Sequence, residues 1–70
     1  MKILVYSYNP SLKECVAPDD YFLNLANVIG LEIEPRPLMG DKVFYRVYLA
    51  NRETKNVNEE DGKKIIKRIE

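Results

Sequence analysis

The longest run of strand-forming side chains is Lys42-Val43-Phe44-Tyr45-Arg46-Val47-Tyr48-Leu49-Ala50, β-branched and aromatic with one interior charge. A two-residue period puts Val43, Tyr45, Val47 and Leu49 on one face and Phe44, Arg46, Tyr48 and Ala50 on the other. Both faces are largely apolar, so this strand belongs in the middle of a sheet. Lys2 to Tyr8 reads as a first strand, with Ile3, Val5 and Ser7 on one face and Lys2, Leu4, Tyr6 and Tyr8 on the other. Leu31-Glu32-Ile33-Glu34 alternates cleanly and reads as another strand. Pro35 and Pro37 cannot donate to a ladder, which places that strand at a sheet edge.

Helical spacing appears twice. Pro18-Asp19-Asp20 supplies a capping start, and Phe22, Leu25, Ala26 and Ile29 follow at i, i+3, i+4 and i+7, ending at Gly30. Near the end of the chain Asn58 and Asp61 have capping-box spacing. Glu59, Glu60 and Asp61 crowd the start of that helix, and Lys63, Lys64, Lys67 and Arg68 crowd the rest. Its apolar stripe is Gly62, Ile65, Ile66 and Ile69, with Gly62 read as a point of close approach to the sheet. Pro10 to Val16 reads as a short turn or irregular loop, and the polar stretch from Asn51 to Val57 as a loop.

Cross-strand partners share a face, so Leu31 and Ile33 should lie opposite the odd-numbered residues of the central strand. A three-residue loop, Leu38-Met39-Gly40 with Gly40 left-handed, gives that pairing, whereas a two-residue turn reverses it. The expected fold class is α+β: a single domain over residues 1–70, a small β-α-β-β-α two-layer sandwich. Its three-stranded sheet has order 1-3-2, with a right-handed parallel crossover and both helices on one face.

Composition narrows the function classes. The 11 basic and 11 acidic residues cancel, which leaves no global field to draw in nucleic acid or an anionic membrane. No apolar run approaches the ~18 residues of a membrane span. The start of the chain reads as a strand rather than a signal peptide, and the one cysteine, Cys15, is unpaired and reads as inert, so a cytoplasmic location is expected. Histidine is absent, which removes the common zinc arrangements and every Ser-His or Cys-His pair. The carboxylates of Asp19/Asp20 and Glu59/Glu60/Asp61 stand where helix starts want negative charge. No catalytic residue, metal ligand or cofactor is expected, and the chain reads as a non-enzyme.

If the helices cover Ile3, Val5, Val43, Tyr45, Val47 and Leu49, the open sheet face carries Lys2, Leu4, Tyr6, Tyr8, Phe44, Arg46 and Tyr48. Tyrosine and arginine are enriched at the anchor points of protein interfaces. Tyr6, Tyr8, Phe44, Arg46 and Tyr48 are therefore the candidate partner-binding residues of a small protein-interaction module (an inhibitor, adaptor or regulatory subunit), alone or as a homodimer. The alternative is a single-stranded RNA-binding domain that stacks bases on the same aromatic and arginine face. A third arrangement folds Ser11 to Ala17 over that face, with Leu12 and Val16 as the lid.

Overall fold

The computed structural model describes residues 1–15, 18–35, 38 and 40–69, with backbone alone at 14 and 15. The expected lid residue Val16 and the loop residues Pro37 and Met39 lie outside the described residues. In chain order the elements are β1 (Lys2–Val5), β2 (Tyr8–Asn9), β3 (Glu14–Cys15), β4 (Asp19–Phe22), a 3-10 turn (Leu25–Asn27), β5 (Val28–Ile33), β6 (Phe44–Leu49), β7 (Thr54–Asn58) and α1 (Glu59–Ile69).

β5, β6 and β7 form a three-stranded antiparallel sheet in that order, and β6 is its centre, as its two apolar faces predict. β1 pairs antiparallel with β4, and β2 pairs with β3 in a short hairpin. Tyr6 joins the β1–β4 pair to the larger sheet by a single antiparallel bridge to Asn56, whose carbonyl accepts from the Tyr6 N–H at 2.8 Å.

This architecture overturns the β-α-β-β-α sandwich. Among the described residues there is one α-helix, not two on one face. The sheet order is β5-β6-β7 rather than 1-3-2 across a parallel crossover. The helix expected from Asp19 to Ile29 is instead strand β4, the 3-10 turn and the start of β5. Two causes are visible. Tyr21 and Leu23 satisfy a two-residue period that competes with the helical stripe of Phe22, Leu25, Ala26 and Ile29: Leu23 is buried, Tyr21 packs on the core, and Asp20 and Phe22 between and beside them face solvent. The Asn24 carboxamide also accepts from the Ala26 N–H at 3.0 Å, which gives the backbone a local alternative to the helix. Asp19 and Asp20 therefore cap nothing; Asp20 pairs with Lys2 at 3.5 Å across the two strands.

The stretch expected as a polar loop contains β7. Its ladder pairs Phe44 with Asn58, Tyr45 with Val57, Arg46 with Asn56 and Val47 with Lys55. Only Val57 in that strand is apolar, and it is completely buried. The β6–β7 turn puts Arg52 in the left-handed region at φ 70°, and the Asn51 side chain accepts from the Glu53 N–H at 3.0 Å. The first strand is shorter than expected, since β1 ends at Val5 and Tyr8 belongs to β2.

The parity argument holds. Ile33 lies opposite Tyr45, Leu31 opposite Val47, and Glu32 opposite Arg46, with Gly40 left-handed at φ 57°. A bulge follows, so that Val28 faces Leu49 while Gly30 faces Tyr48, with Ile29 as the extra residue. The core lies between the sheet and α1: Ile3, Leu23, Val47, Leu49, Val57 and Ile65, with Val5, Leu31 and Tyr45 packed against it. The helix start is capped as the spacing predicts, with the Asn58 side chain accepting from the Asp61 N–H at 2.7 Å. The Asp61 carboxylate does not close a capping box but accepts from the Leu4 N–H at 3.3 Å, tying α1 to β1. Gly62 is buried against the Tyr45 ring, the close approach read from the sequence.

Candidate interaction site

Because β5 and β6 keep even residues on one side, Glu32, Glu34, Arg46 and Tyr48 meet on the sheet face away from α1. Arg46 holds Glu34 through two parallel hydrogen bonds, Nε to Oε2 at 3.0 Å and Nη2 to Oε1 at 2.8 Å. This fork geometry suits a guanidinium against a carboxylate. Nη1 reaches Glu32 Oε1 at 3.4 Å and the Tyr48 hydroxyl at 3.3 Å, and that hydroxyl in turn donates to Glu32. The Glu34 side chain has no solvent exposure, while Arg46 is 23% exposed. The Glu34 hydrogen bond, followed by the contact with Tyr48, raises the Arg46 pKa above its ordinary value.

A buried carboxylate is costly unless it is paired and hydrogen-bonded. Replacing Arg46 with alanine should therefore lower the urea midpoint more than removing Lys64, whose 3.4 Å pair with Glu60 is exposed. Arg46→Lys should recover only part of the loss, since an ammonium cannot reproduce the two-pronged contact. Equal midpoints for Arg46→Ala and Lys64→Ala would show that the Glu34 pair contributes nothing.

Phe44 is 3% exposed, with the Tyr6 ring edge-on to it at 4.9 Å and an interplanar angle of 69°. The Tyr6 hydroxyl accepts from Asn58 Nδ2 at 3.4 Å. The five residues picked from the sequence thus fall into three places. Tyr6 and Phe44 pack on each other, Arg46 and Tyr48 join the two glutamates, and Tyr8 stands in the separate β2–β3 hairpin. Phe44 is a buried side chain rather than a contact surface. The Arg46 guanidinium, which base stacking would need, is committed to carboxylates. Leu12, the expected lid residue, is 60% exposed and covers nothing.

The sheet exposes apolar side chains at another place, on β5. Ile29 is 70% exposed and Ile33 is 62% exposed. β5 is an edge strand, as Pro35 and Pro37 predict, and no described strand pairs with its outer side. The Glu34 N–H donates to the Phe44 carbonyl at 2.8 Å, so even residues of β5 bond toward β6. In an antiparallel ladder the intervening residues then turn their N–H and C=O outward, which leaves Leu31 and Ile33 open for pairing. In the β1–β4 pair, β4 carries the exposed charges Asp19 and Asp20 beside an exposed Phe22. On β5 the one charge, Glu32, folds back onto Arg46 and Tyr48. In the sequence, the Leu31-Glu32-Ile33-Glu34 alternation and the prolines after it mark this edge.

A cleft of about 430 Å³ lies beside the start of α1, lined by Tyr6, Lys42, Phe44, Asn58, Glu59 and Glu60. Of its acidic residues, Glu59 and Glu60 occupy the first turn of the helix, where the dipole favours them, and Asp41 lies in the turn before β6. Among the described residues no group of three or more acidic or cysteine side chains could hold a metal ion. Nor is any described helix long and apolar enough to cross a membrane. Comparison with protein-family models, curated proteins and solved structures gives no match for this chain.

Proposed function

We propose that this protein is a small protein-interaction module that accepts an extended segment of polypeptide along the open edge of β5. The observation that supports this reading is the outer edge of β5 (Val28–Ile33), which no described strand pairs with, with Ile29 and Ile33 exposed and no lysine or interior proline in the strand to blunt it. Strand addition draws affinity from backbone hydrogen bonds and specificity from alternate side chains. Leu31 and Ile33 would supply the first, and Ile29 and Ile33 the apolar contacts. This moves the interaction surface from the aromatic face of β6 to the neighbouring strand. The Glu32–Arg46–Glu34 cluster then acts as a brace that holds β5 in register.

The test is a photo-crosslinking amino acid placed at Ile33 in the source cell, with the same probe at exposed Lys67 as the control. Protein adducts formed from position 33 and not from position 67 are expected. No adduct from position 33, or the same adducts from both, would remove β5 as the interaction surface.

A further inference from the structure

We infer that the segment β5 accepts is the β5 strand of a second copy of this chain, paired antiparallel about a two-fold axis at Leu31. This rests on the reading of β5 as a strand acceptor and names its partner. A symmetric pair of edge strands can form in only a few registers, and side-chain charge and backbone parity separate them.

An axis at Glu32 sets Glu32 directly against the second copy's Glu32, a like-charge pair that destabilises a ladder. An axis at Ile33 sets Glu32 against Glu34 and brings Pro35, which has no N–H, into the outward-bonding position opposite Leu31. An axis at Leu31 has neither fault. Leu31, whose N–H and C=O face outward, exchanges both bonds with its symmetry mate. Glu32 lies against Gly30 of the second copy, where there is no side chain and no charge. Ile33 lies against Ile29, so the two exposed isoleucines of the strand cover each other twice across the axis. The formal net charge of the chain is zero, so two copies meet without global repulsion. The bulge at Ile29 and the proline at 35 bound the ladder to residues 29–33. A ladder that short makes a weak, concentration-dependent dimer rather than an obligate one.

The experiment is sedimentation equilibrium on the purified chain from about 1 μM to about 1 mM, the affinity range of transient interfaces. A monomer–dimer equilibrium is expected for the wild type. Ile33→Pro should abolish it: the substitution removes an outward N–H and leaves the bonds to β6 in place, as edge strands tolerate. Circular dichroism checks that this variant is folded. The register is tested separately at Gly30, where an added Cβ meets nothing closer than Tyr48 Cδ2 at 3.8 Å. Relative to Gly30→Ala, Gly30→Lys places an ammonium against Glu32 of the second copy and should tighten the dimer about fivefold, and Gly30→Glu should weaken it by a similar factor. Identical association by the Lys and Glu variants, or dimerisation of folded Ile33→Pro at wild-type strength, would overturn the proposal. So would a wild type that stays monomeric throughout. In that case adducts from position 33 to a different protein would leave β5 as a strand acceptor with another partner, whereas the absence of adducts as well would remove both readings.

Discussion

Truncating Ile65 to alanine is expected to cost about 2–5 kcal/mol, the range for large-to-small substitution at a closed core site. Ile65 has no solvent exposure, and it is the α1 residue that reaches the core formed by Val47, Leu49 and Val57 on the sheet and Ile3 and Leu23 on the β1–β4 side. A domain of this length has roughly 4–10 kcal/mol of total stability, at about 0.05–0.15 kcal/mol per residue. One truncation therefore removes a large part of it and should leave much of the chain unfolded near physiological temperature. Urea denaturation followed by circular dichroism measures the effect. Ile69→Ala on the same helix is the control, because Ile69 is 45% exposed and should cost far less. Equal losses at the two positions would mean that α1 does not pack on the sheet through Ile65.

Gly62→Ala should destabilise the protein even though alanine favours a helix by about 1 kcal/mol over glycine. A Cβ at position 62 would stand 2.7 Å from Tyr45 Cγ and 3.0 Å from Tyr45 Cβ. Those atoms lie close to the β6 backbone, so the ring cannot swing clear and either α1 or β6 must move. Overpacking of this kind costs about 1–3 kcal/mol, and contacts this close belong at the upper end, which leaves a net loss of about 2 kcal/mol. The sign should reverse when the obstacle is removed. In a Tyr45→Ala background the same change should stabilise by up to about 1 kcal/mol, from helix propensity alone. A double-mutant cycle from thermal melting reads this coupling, and additive effects would show that Gly62 and Tyr45 are not in contact.

Where one physical pattern dominated, the sequence was legible. Strand β6, its central position, the side turned to the helix, the Leu31–Val47 register and the Asn58 cap each follow from periodicity or a single hydrogen-bonding side chain. The first half of the chain carried two compatible periods. Phe22, Leu25, Ala26 and Ile29 line up on a helix, and Tyr21 and Leu23 line up on a strand. The β1 backbone, which pairs Ile3 with Tyr21 and Leu4 with Asp20, and the Asn24 side chain, which accepts from Ala26, decide between them. β7 was hidden for another reason. Apart from Val57 its residues are polar, and its turn uses Arg52 rather than glycine or asparagine at the left-handed position, so neither hydrophobicity nor turn chemistry marks it. Counting aromatic residues on a face does not show which of them cover one another. Tyr6 lies against Phe44, and Arg46 is enclosed by acids already present on the neighbouring strand.

The single Tyr6–Asn56 bridge also bears on the order in which the chain assembles. β5, β6, β7 and α1 are consecutive and contact one another over short separations, so they can nucleate early with little loop-closure entropy. The β1–β4 pair joins them through partners far apart in sequence, Tyr6 with Asn56 and Leu4 with Asp61. The contact order predicts that the first third of the chain docks late onto this meander, and in any state that precedes docking Val57 and Ile65 lack their Ile3 and Leu23 neighbours, an exposed interior where misassociation would begin.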